Sequence, residues 1–285
     1  MNTFYQMWGC RTPAEAAAIL QRQRQKSLDE QIRIGHFEPQ NLKEQAIRLV
    51  GEDIYSMFIR DYTEKQWGCS CEELPPDIIK RLPVRLVFNN NYFDDRYQGM
   101  PSEGYNRLID RLLCRAEIRL GCDFFMHRSE LRSFAEKMVY SGSIDEYFGY
   151  SLGKLEYRSV ALETERLDAA DIQGCAVVNW CSHDVPFTRT IEHKHFSADA
   201  KSLCEIPLTY VSKEYSSAWR PGLERCYPVN DHRNMKLYRK YAAMASGEHD
   251  VIFGGRLAEY RYYDMDDIVA KALADVNEFL QKHES

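Results

Sequence analysis

No run of about 18 apolar residues occurs in this chain, so the sequence offers no membrane-spanning helix. Met1-Asn2-Thr3-Phe4 does not open the basic-then-apolar pattern of a secretory signal, and the cytoplasm is the expected location. Positive charge is in deficit: 37 Lys and Arg face 43 Asp and Glu, for a net charge of -6. That balance argues against nucleic acid as a general partner. No C-x-x-C occurs among Cys10, Cys69, Cys71, Cys114, Cys122, Cys175, Cys181, Cys204 and Cys226. Cys69 and Cys71 stand too close for the usual zinc spacing, and the nine thiols are expected to stay unpaired in a reducing compartment. No metal site is expected. His193 and His195 alternate, so they would share one strand face, but two ligands are too few for a structural zinc. Internal repeats and low-complexity linkers are also missing.

The 285 residues are enough for more than one domain. Hydrophobic residues at 44% and charged residues at 28% are ordinary for a globular protein. Aromatic residues are the unusual presence: 18 Tyr, 13 Phe and 4 Trp, many beside arginine. Ring faces stack on planar groups and arginine forks bind phosphate, so one reading is a small anionic ligand bearing a ring. The other is a tyrosine-rich core.

The first third reads as helical. Thr12-Pro13-Ala14-Glu15 combines a capping box with proline at the first helical position, and a helix from Ala14 to about Ser27 follows. Asn41 to Val50 is a second helix. After Gly51, Asp53 to about Arg60 resumes, with Ile54, Met57 and Phe58 on one face. Pro75-Pro76-Asp77 opens a short helix ending near Lys80. The pattern then changes to β-like runs at Leu155–Glu165, Cys175–Cys181, Phe187–Lys194 and Leu208–Glu214, expected to form an antiparallel sheet. Tyr105–Ala116 is an amphipathic helix, followed by strand-like Glu117–Leu120 and Met138–Ser141. Val251–Phe253 is an apolar strand, and Asp264 caps a final helix to about Lys282. The fold class is therefore mixed α+β and α/β. The expected units are 1–80 helical, 81–100 with 151–229 an antiparallel sheet, and 101–150 with 230–285 an α/β layer.

Four constellations could carry chemistry. Phe58 and Tyr62, four apart on a helix, could clamp a flat base, with Trp67 a third ring and Arg81 a fixed charge; core aromatics are the alternative. The stretch around Tyr92 (NNNYFDDRYQG) is polar and turn-like. Arg189 on an alternating strand needs an anion, either a protein carboxylate or a ligand phosphate. Gly254-Gly255-Arg256, read as a strand-to-helix turn and followed by Tyr260, Tyr262, Tyr263 and Asp264, is a physical site for phosphate or polar cofactor atoms.

Taken together the strings MNTFYQMWG, YTEKQWG, ELPPDIIKRLPVR, NNNYFDDRYQG, IDEYFGY, LEYRS, TRTIEHKHF, YPVND and VIFGGRLAEYRYYDM resemble the UDP-galactopyranose mutases, in family order along nearly the whole chain. The resemblance implies an isomerase that interconverts UDP-galactopyranose and UDP-galactofuranose through a covalent adduct with N5 of reduced FAD. It also implies a homodimer and a role in making cell-surface polysaccharide. By that resemblance Arg81 and Arg189 neutralise the pyrophosphate and carry the rate. Phe58 and Tyr62 stack on uracil with Thr63 and Trp67 beside them, and Tyr92, Tyr227 and Tyr262 surround the phosphates. Gly254, Gly255, Arg256, Asp264 and Met265 lie against the flavin, and the stretch from Trp67 to Arg81 matches a mobile lid.

The departures matter as much. The family's G-x-G-x-x-G turn, which holds the ADP half of FAD, is not in this sequence, which reads as a shortened mutase. Asp61 stands where a glycine is usual, Cys226 where a tyrosine is, and Asp266 where a histidine is. Two readings stay open: part of a working mutase, or a UDP-sugar-binding remnant without turnover. Either way exposed apolar surface is expected, and the 285-residue chain alone is expected to hold FAD poorly. The flavin absorbance of the purified protein checks this; a stoichiometric yellow preparation would refute it.

Overall fold

The structure is a computed structural model, describing residues 1–283 apart from 34, 36, 37, 80–83, 90–94, 198 and 204. The chain forms two compact units, one of residues 1–109 with 161–217 and one of 110–160 with 218–285.

The first unit opens with α1 (Asn2–Trp8) and α2 (Pro13–Arg33). The expected capping box starts α2: Thr12 Oγ1 accepts from Glu15 N at 3.3 Å, and Glu15 Oε2 accepts from Arg11 N at 2.8 Å. The helix runs a turn and a half beyond its expected end because nothing between Ser27 and Arg33 breaks helical geometry. A second box starts α3 (Leu42–Val50), where Asn41 Oδ1 accepts from Glu44 N at 3.0 Å and Glu44 Oε2 accepts from Gln40 N at 2.9 Å. Gly51 turns the chain with φ 84° into α4 (Glu52–Ile54), a π-helical turn (Tyr55–Ile59) and α5 (Arg60–Trp67). Leu42, Ala46, Ile47, Val50, Tyr55, Ile59, Cys71, Leu74 and Ile79 close one core. Each fully buried aliphatic side chain there contributes about 1.5–3 kcal/mol. Met1, Phe4, Cys10, Ala16 and Leu20 form a second core.

The π turn corrects one sequence expectation. Met57 and Phe58 stand exposed, while Tyr55 and Ile59 are buried. The wider i→i+5 turn, closed by Arg60 N on Tyr55 O, rotates the helix away from the face that 3.6-residue periodicity assigns.

β2 (Tyr157–Leu167) passes from the second unit into the first, where β3 (Val177–Asn179), β4 (Arg189–Glu192) and β5 (Thr209–Ala218) follow. The pairs β3–β4 and β4–β5 are antiparallel, as expected, with Asn179 opposite Arg189 and Arg189 opposite Glu214. Beyond Glu192 the chain leaves the strand for a 3-10 turn, His193–Phe196, before α9 (Ala200–Leu203). His193 and His195 therefore do not share a strand face. His193 Nε2 meets Ser212 Oγ at 2.7 Å and His195 Nε2 meets Asp171 Oδ1 at 3.2 Å. The buried face of β4 is its polar one, Thr190 and Glu192, continued by buried Thr188 just before the strand. It is satisfied throughout: Glu192 accepts from Gln173 N at 3.0 Å and Thr209 Oγ1 at 2.7 Å, and Thr190 Oγ1 bonds Gln173 Oε1 at 2.8 Å.

The second unit begins within α6 (Gly104–Leu112), whose Leu108, Ile109 and Leu112 are exposed. Residues 117–120 form no strand. After α7 (Arg128–Arg132) comes β1 (Met138–Tyr140), and after α10 (His232–Ala245) comes β7 (Val251–Phe253). These strands pair in parallel, Val139 against Ile252. β6 (Tyr227–Pro228) pairs antiparallel with the start of β2. Here the aromatic excess finds its use: Tyr140, Tyr147, Tyr157, Tyr241 and Tyr260 are buried around α8 (Ile144–Tyr147) and Leu155. Their hydroxyls are placed rather than stranded. Tyr241 donates to Gly153 O at 2.7 Å, Tyr260 to Glu156 O at 2.6 Å, and Tyr147 to Glu248 Oε2 at 3.0 Å. The last helix, α11 (Met265–His283), exposes an apolar stripe of Met265, Val269, Leu273, Val276 and Leu280. No disulfide joins the eight described cysteines.

Replacing Asn41 by Ala should lower stability by about 1 kcal/mol through loss of the α3 cap, read as a lower denaturation midpoint with unchanged slope. An unchanged midpoint would mean the reciprocal bond from Glu44 carries the helix start alone.

Candidate functional site

In the first unit the side chains singled out from sequence gather where α5 meets β4. Arg189 begins β4 directly opposite Glu214 on β5, and cross-strand residues on one face lie within side-chain reach. Its Nε lies 2.9 Å from Glu214 Oε1, and its Nη2 donates to Tyr62 OH at 2.8 Å. Thr188 Oγ1 donates to the same Glu214 oxygen at 2.7 Å. The guanidinium thus has a protein carboxylate as partner, one of the two possibilities its position allowed. Its side chain keeps 28% of its surface exposed and can still reach a ligand. On α5, Thr63 is buried and Trp67 packs on the neighbouring core, while Phe58 in the π turn is exposed. Single π turns occur often at functional sites. Arg81 and Tyr92 lie outside the described residues.

Three further α5 residues, none of them a sequence candidate, grip the segment between β3 and β4. Lys65 Nζ donates to Trp180 O at 2.6 Å, Ser182 O at 2.9 Å, Val185 O at 3.0 Å and Phe187 O at 3.0 Å. Burial pulls its pKa below the ordinary lysine value. Asp61 Oδ2 accepts from His183 N at 3.3 Å, and Glu64 Oε2 lies 3.2 Å from His183 Nε2. Asp61, Glu64 and His183 are close enough to offer ligand atoms to one ion, but Arg60 Nε already sits 2.7 Å from Asp61 Oδ1. That carboxylate oxygen is already engaged by a guanidinium, which favours ion pairing over metal binding. Burial works against ionisation of Asp61, yet the bonds from Arg60 and the His183 N–H outweigh it and hold the carboxyl below the usual range. Asp61 thus has a local structural use. Backbone carbonyl acceptors leave no trace in a sequence, which is why Lys65 was not foreseen.

The second unit holds the other candidates. Tyr227 and Tyr262 stack with centroids 5.7 Å apart, and the Arg256 guanidinium lies 5.4 and 5.0 Å from their ring centres. Arg256 Nη1 donates to Cys226 O at 3.1 Å and Nη2 to Tyr263 O at 2.6 Å. Gly255, at φ 97°, adopts a left-handed conformation, and nothing lies within 4 Å of where a side chain on Gly254 would begin. The glycines do not open a helix: residues 256–264 intervene before α11, which corrects the strand–turn–helix reading. Asp264 precedes Met265 at that helix start, and Asp266 and Asp267 occupy its first turn. A pyrophosphate would meet like charge there, whereas the hydroxyls of a flavin's ribityl chain would meet acceptors. The acidic side chains at the helix start therefore suit the hydroxyls of a polyol, while Arg256 brings a positive charge to the same group of candidates.

Comparison with known proteins follows this geometry. Against a solved structure of reduced UDP-galactopyranose mutase the chain superposes with a TM-score of 0.51 at 14% identity, covering 85% of this chain and 69% of that one, which shows a shared mixed helix-and-sheet fold. The family model for UDP-galactopyranose mutase matches residues 57–262. A protein named probable UDP-galactopyranose mutase from Klebsiella pneumoniae is 39% identical over 94% of this chain and 66% of its own length. The dTDP-fucopyranose mutase of Escherichia coli is 35% identical over 83% of this chain and 63% of its own length. The UDP-galactopyranose mutase of Mycoplasma pneumoniae is 32% identical over 77% and 58% respectively. This chain belongs to the UDP-galactopyranose mutase family. It spans between 58% and 66% of the length of these three relatives.

The lowered Asp61 pKa has a pH signature. Its contribution is fully present above the unfolded carboxylate pKa and is lost as pH falls through the still lower folded value. Asp61→Asn should flatten that acid limb of a melting-temperature profile. Superimposable profiles below pH about 4 would show that Asp61 adds nothing.

Proposed function

We propose that this chain provides the nucleotide-sugar site of a UDP-galactopyranose mutase, acting with reduced FAD to interconvert the pyranose and furanose forms of UDP-galactose. The observation that supports this most is the Tyr62–Arg189–Glu214 arrangement, a half-buried guanidinium held at two of its nitrogens beside aromatic side chains. In this reading Arg189 and Arg81 neutralise the diphosphate. Charge on that diphosphate grows when the bond to the sugar breaks, so a fixed guanidinium favours the transition state over the bound substrate. Glu214 keeps Arg189 aimed and desolvated in the absence of ligand, and an incoming diphosphate must compete with it. Phe58, exposed on the π turn, and Tyr62 offer ring surface for uracil, with Thr63 and Trp67 beside them.

In the second unit Gly254, Gly255, Arg256, Asp264 and Met265 would hold the ribityl side of FAD. When bound, reduced FAD supplies the electron-rich ring that takes the sugar from UDP; the chain's residues supply charge and position. A homodimer in the cytoplasm, making a precursor of cell-surface polysaccharide, completes the proposal. The 35% identity to a dTDP-fucopyranose mutase favours a second reading, a thymidine rather than uridine nucleotide.

Titration calorimetry with UDP tests the site. Arg189→Ala should weaken binding at least tenfold, since a charge-assisted bond to phosphate is worth about 1.5–3 kcal/mol. Equal affinity for the variant would remove Arg189 from the phosphate site. Tighter binding of dTDP than UDP would select the second reading.

A further inference from the structure

The segment from Trp180 to Phe187 is wound around one ammonium group. Trp180, Ser182, Val185 and Phe187 all turn their carbonyls onto Lys65 Nζ, at 2.6, 2.9, 3.0 and 3.0 Å. An ammonium has three protons, so these four oxygens replace its water shell and share its donors. Their repulsion in such a cluster is offset only by the cation at its centre. The same segment is tied to α5 at Asp61, through His183 N at 3.3 Å. It ends at Phe187, and Thr188 and Arg189 follow into β4. Tyr62, which accepts the Arg189 bond, sits on α5 one helical turn before Lys65.

We propose that Lys65 is a positioning residue. It templates the 180–187 segment on α5 and thereby sets where Arg189 stands relative to Tyr62. The four hydrogen bonds from Lys65 Nζ all go to carbonyls of this segment, so the action proposed for it on a ligand passes through Arg189. This rests on Arg189 being the phosphate-binding arginine proposed above.

The test is UDP titration of the full chain carrying Lys65→Ala, Arg189→Ala, or both. Lys65→Ala should weaken UDP binding about tenfold, comparable to loss of one charge-assisted bond, and should weaken it little further in the Arg189→Ala background. Methylammonium, which fits the vacated carbonyl cage, should restore much of the affinity of Lys65→Ala, whereas tetramethylammonium, with no N–H to donate, should not. Lys65→Arg should be intermediate, because a planar fork cannot aim its donors at four converging carbonyls; it also carries the test if Lys65→Ala does not fold. Wild-type affinity in Lys65→Ala with an impaired Arg189→Ala would overturn this inference and leave the phosphate site standing. Full additivity of the two changes would overturn it as well, as would unfolding of both Lys65 variants, which would make Lys65 a general scaffold residue. Unchanged UDP binding in Arg189→Ala would bring down the phosphate site first and this inference with it.

Discussion

A positive charge on a half-buried strand cannot be left alone, and the first unit is arranged around that constraint at Arg189. Register places Glu214 opposite it. Thr188 adds a hydrogen bond to the same carboxylate, and Tyr62 takes another of the guanidinium nitrogens. Removing either charge would strand the other in a poorly hydrated setting, which costs far more than the pair itself contributes. The arrangement is therefore conditional. In the proposed function a diphosphate would compete with Glu214 for Arg189, and a displaced Glu214 would keep its hydrogen bond from Thr188 Oγ1.

Anchoring of that kind works only if the strand start does not wander. β4 is short, and its buried face is polar, so apolar packing alone cannot fix it. Hydrogen bonds do so instead: Glu192, Thr190 and Thr188 each have partners from the adjoining chain. Just before the strand, the carbonyl cage around Lys65 and the Asp61 bond to His183 N take over. A network of this sort is directional, so it specifies one geometry where an apolar surface would tolerate several.

Much of the scaffold was legible because its signals are local. The Thr12 and Asn41 boxes marked helix starts, the period of two marked β4, and the apolar Val251–Phe253 marked β7. What escaped depended on distant partners or on subtle backbone geometry. The π turn at Tyr55–Ile59 differs from an α-helix by a single shifted hydrogen bond, and that shift reversed which of Tyr55 and Phe58 faces the core. Residues 117–120 had strand-like composition but found no partner strand among the described residues. Glu214 could be recognised as a partner of Arg189 only once the register of β4 and β5 was fixed. Composition left two readings of the tyrosine excess open, a ring-binding site and a tyrosine-rich core, and the core reading holds for Tyr140, Tyr147, Tyr157, Tyr241 and Tyr260 in the second unit.

That division between aromatic core and aromatic surface bears on which nucleotide is recognised. A guanidinium binds the diphosphate of UDP and of dTDP equally well, since the charged portion is the same. Discrimination must come from the nucleoside, where the two differ at the base methyl and at the ribose 2′-hydroxyl that dTDP lacks; a methyl group is worth only about 1 kcal/mol in an apolar pocket, whereas a site that hydrogen-bonds a hydroxyl rejects the analogue lacking it far more strongly. Tyr62 accepts the bond from Arg189 through its hydroxyl oxygen, and in the proposed site its ring face is what it would offer the base. Stacking tolerates either pyrimidine. Under the proposed function Arg189 and Tyr62 would hold the nucleotide diphosphate whatever the nucleoside, and the choice between nucleosides would fall to contacts with the base and the ribose; relatives named for uridine and thymidine sugars are 39% and 35% identical to this chain.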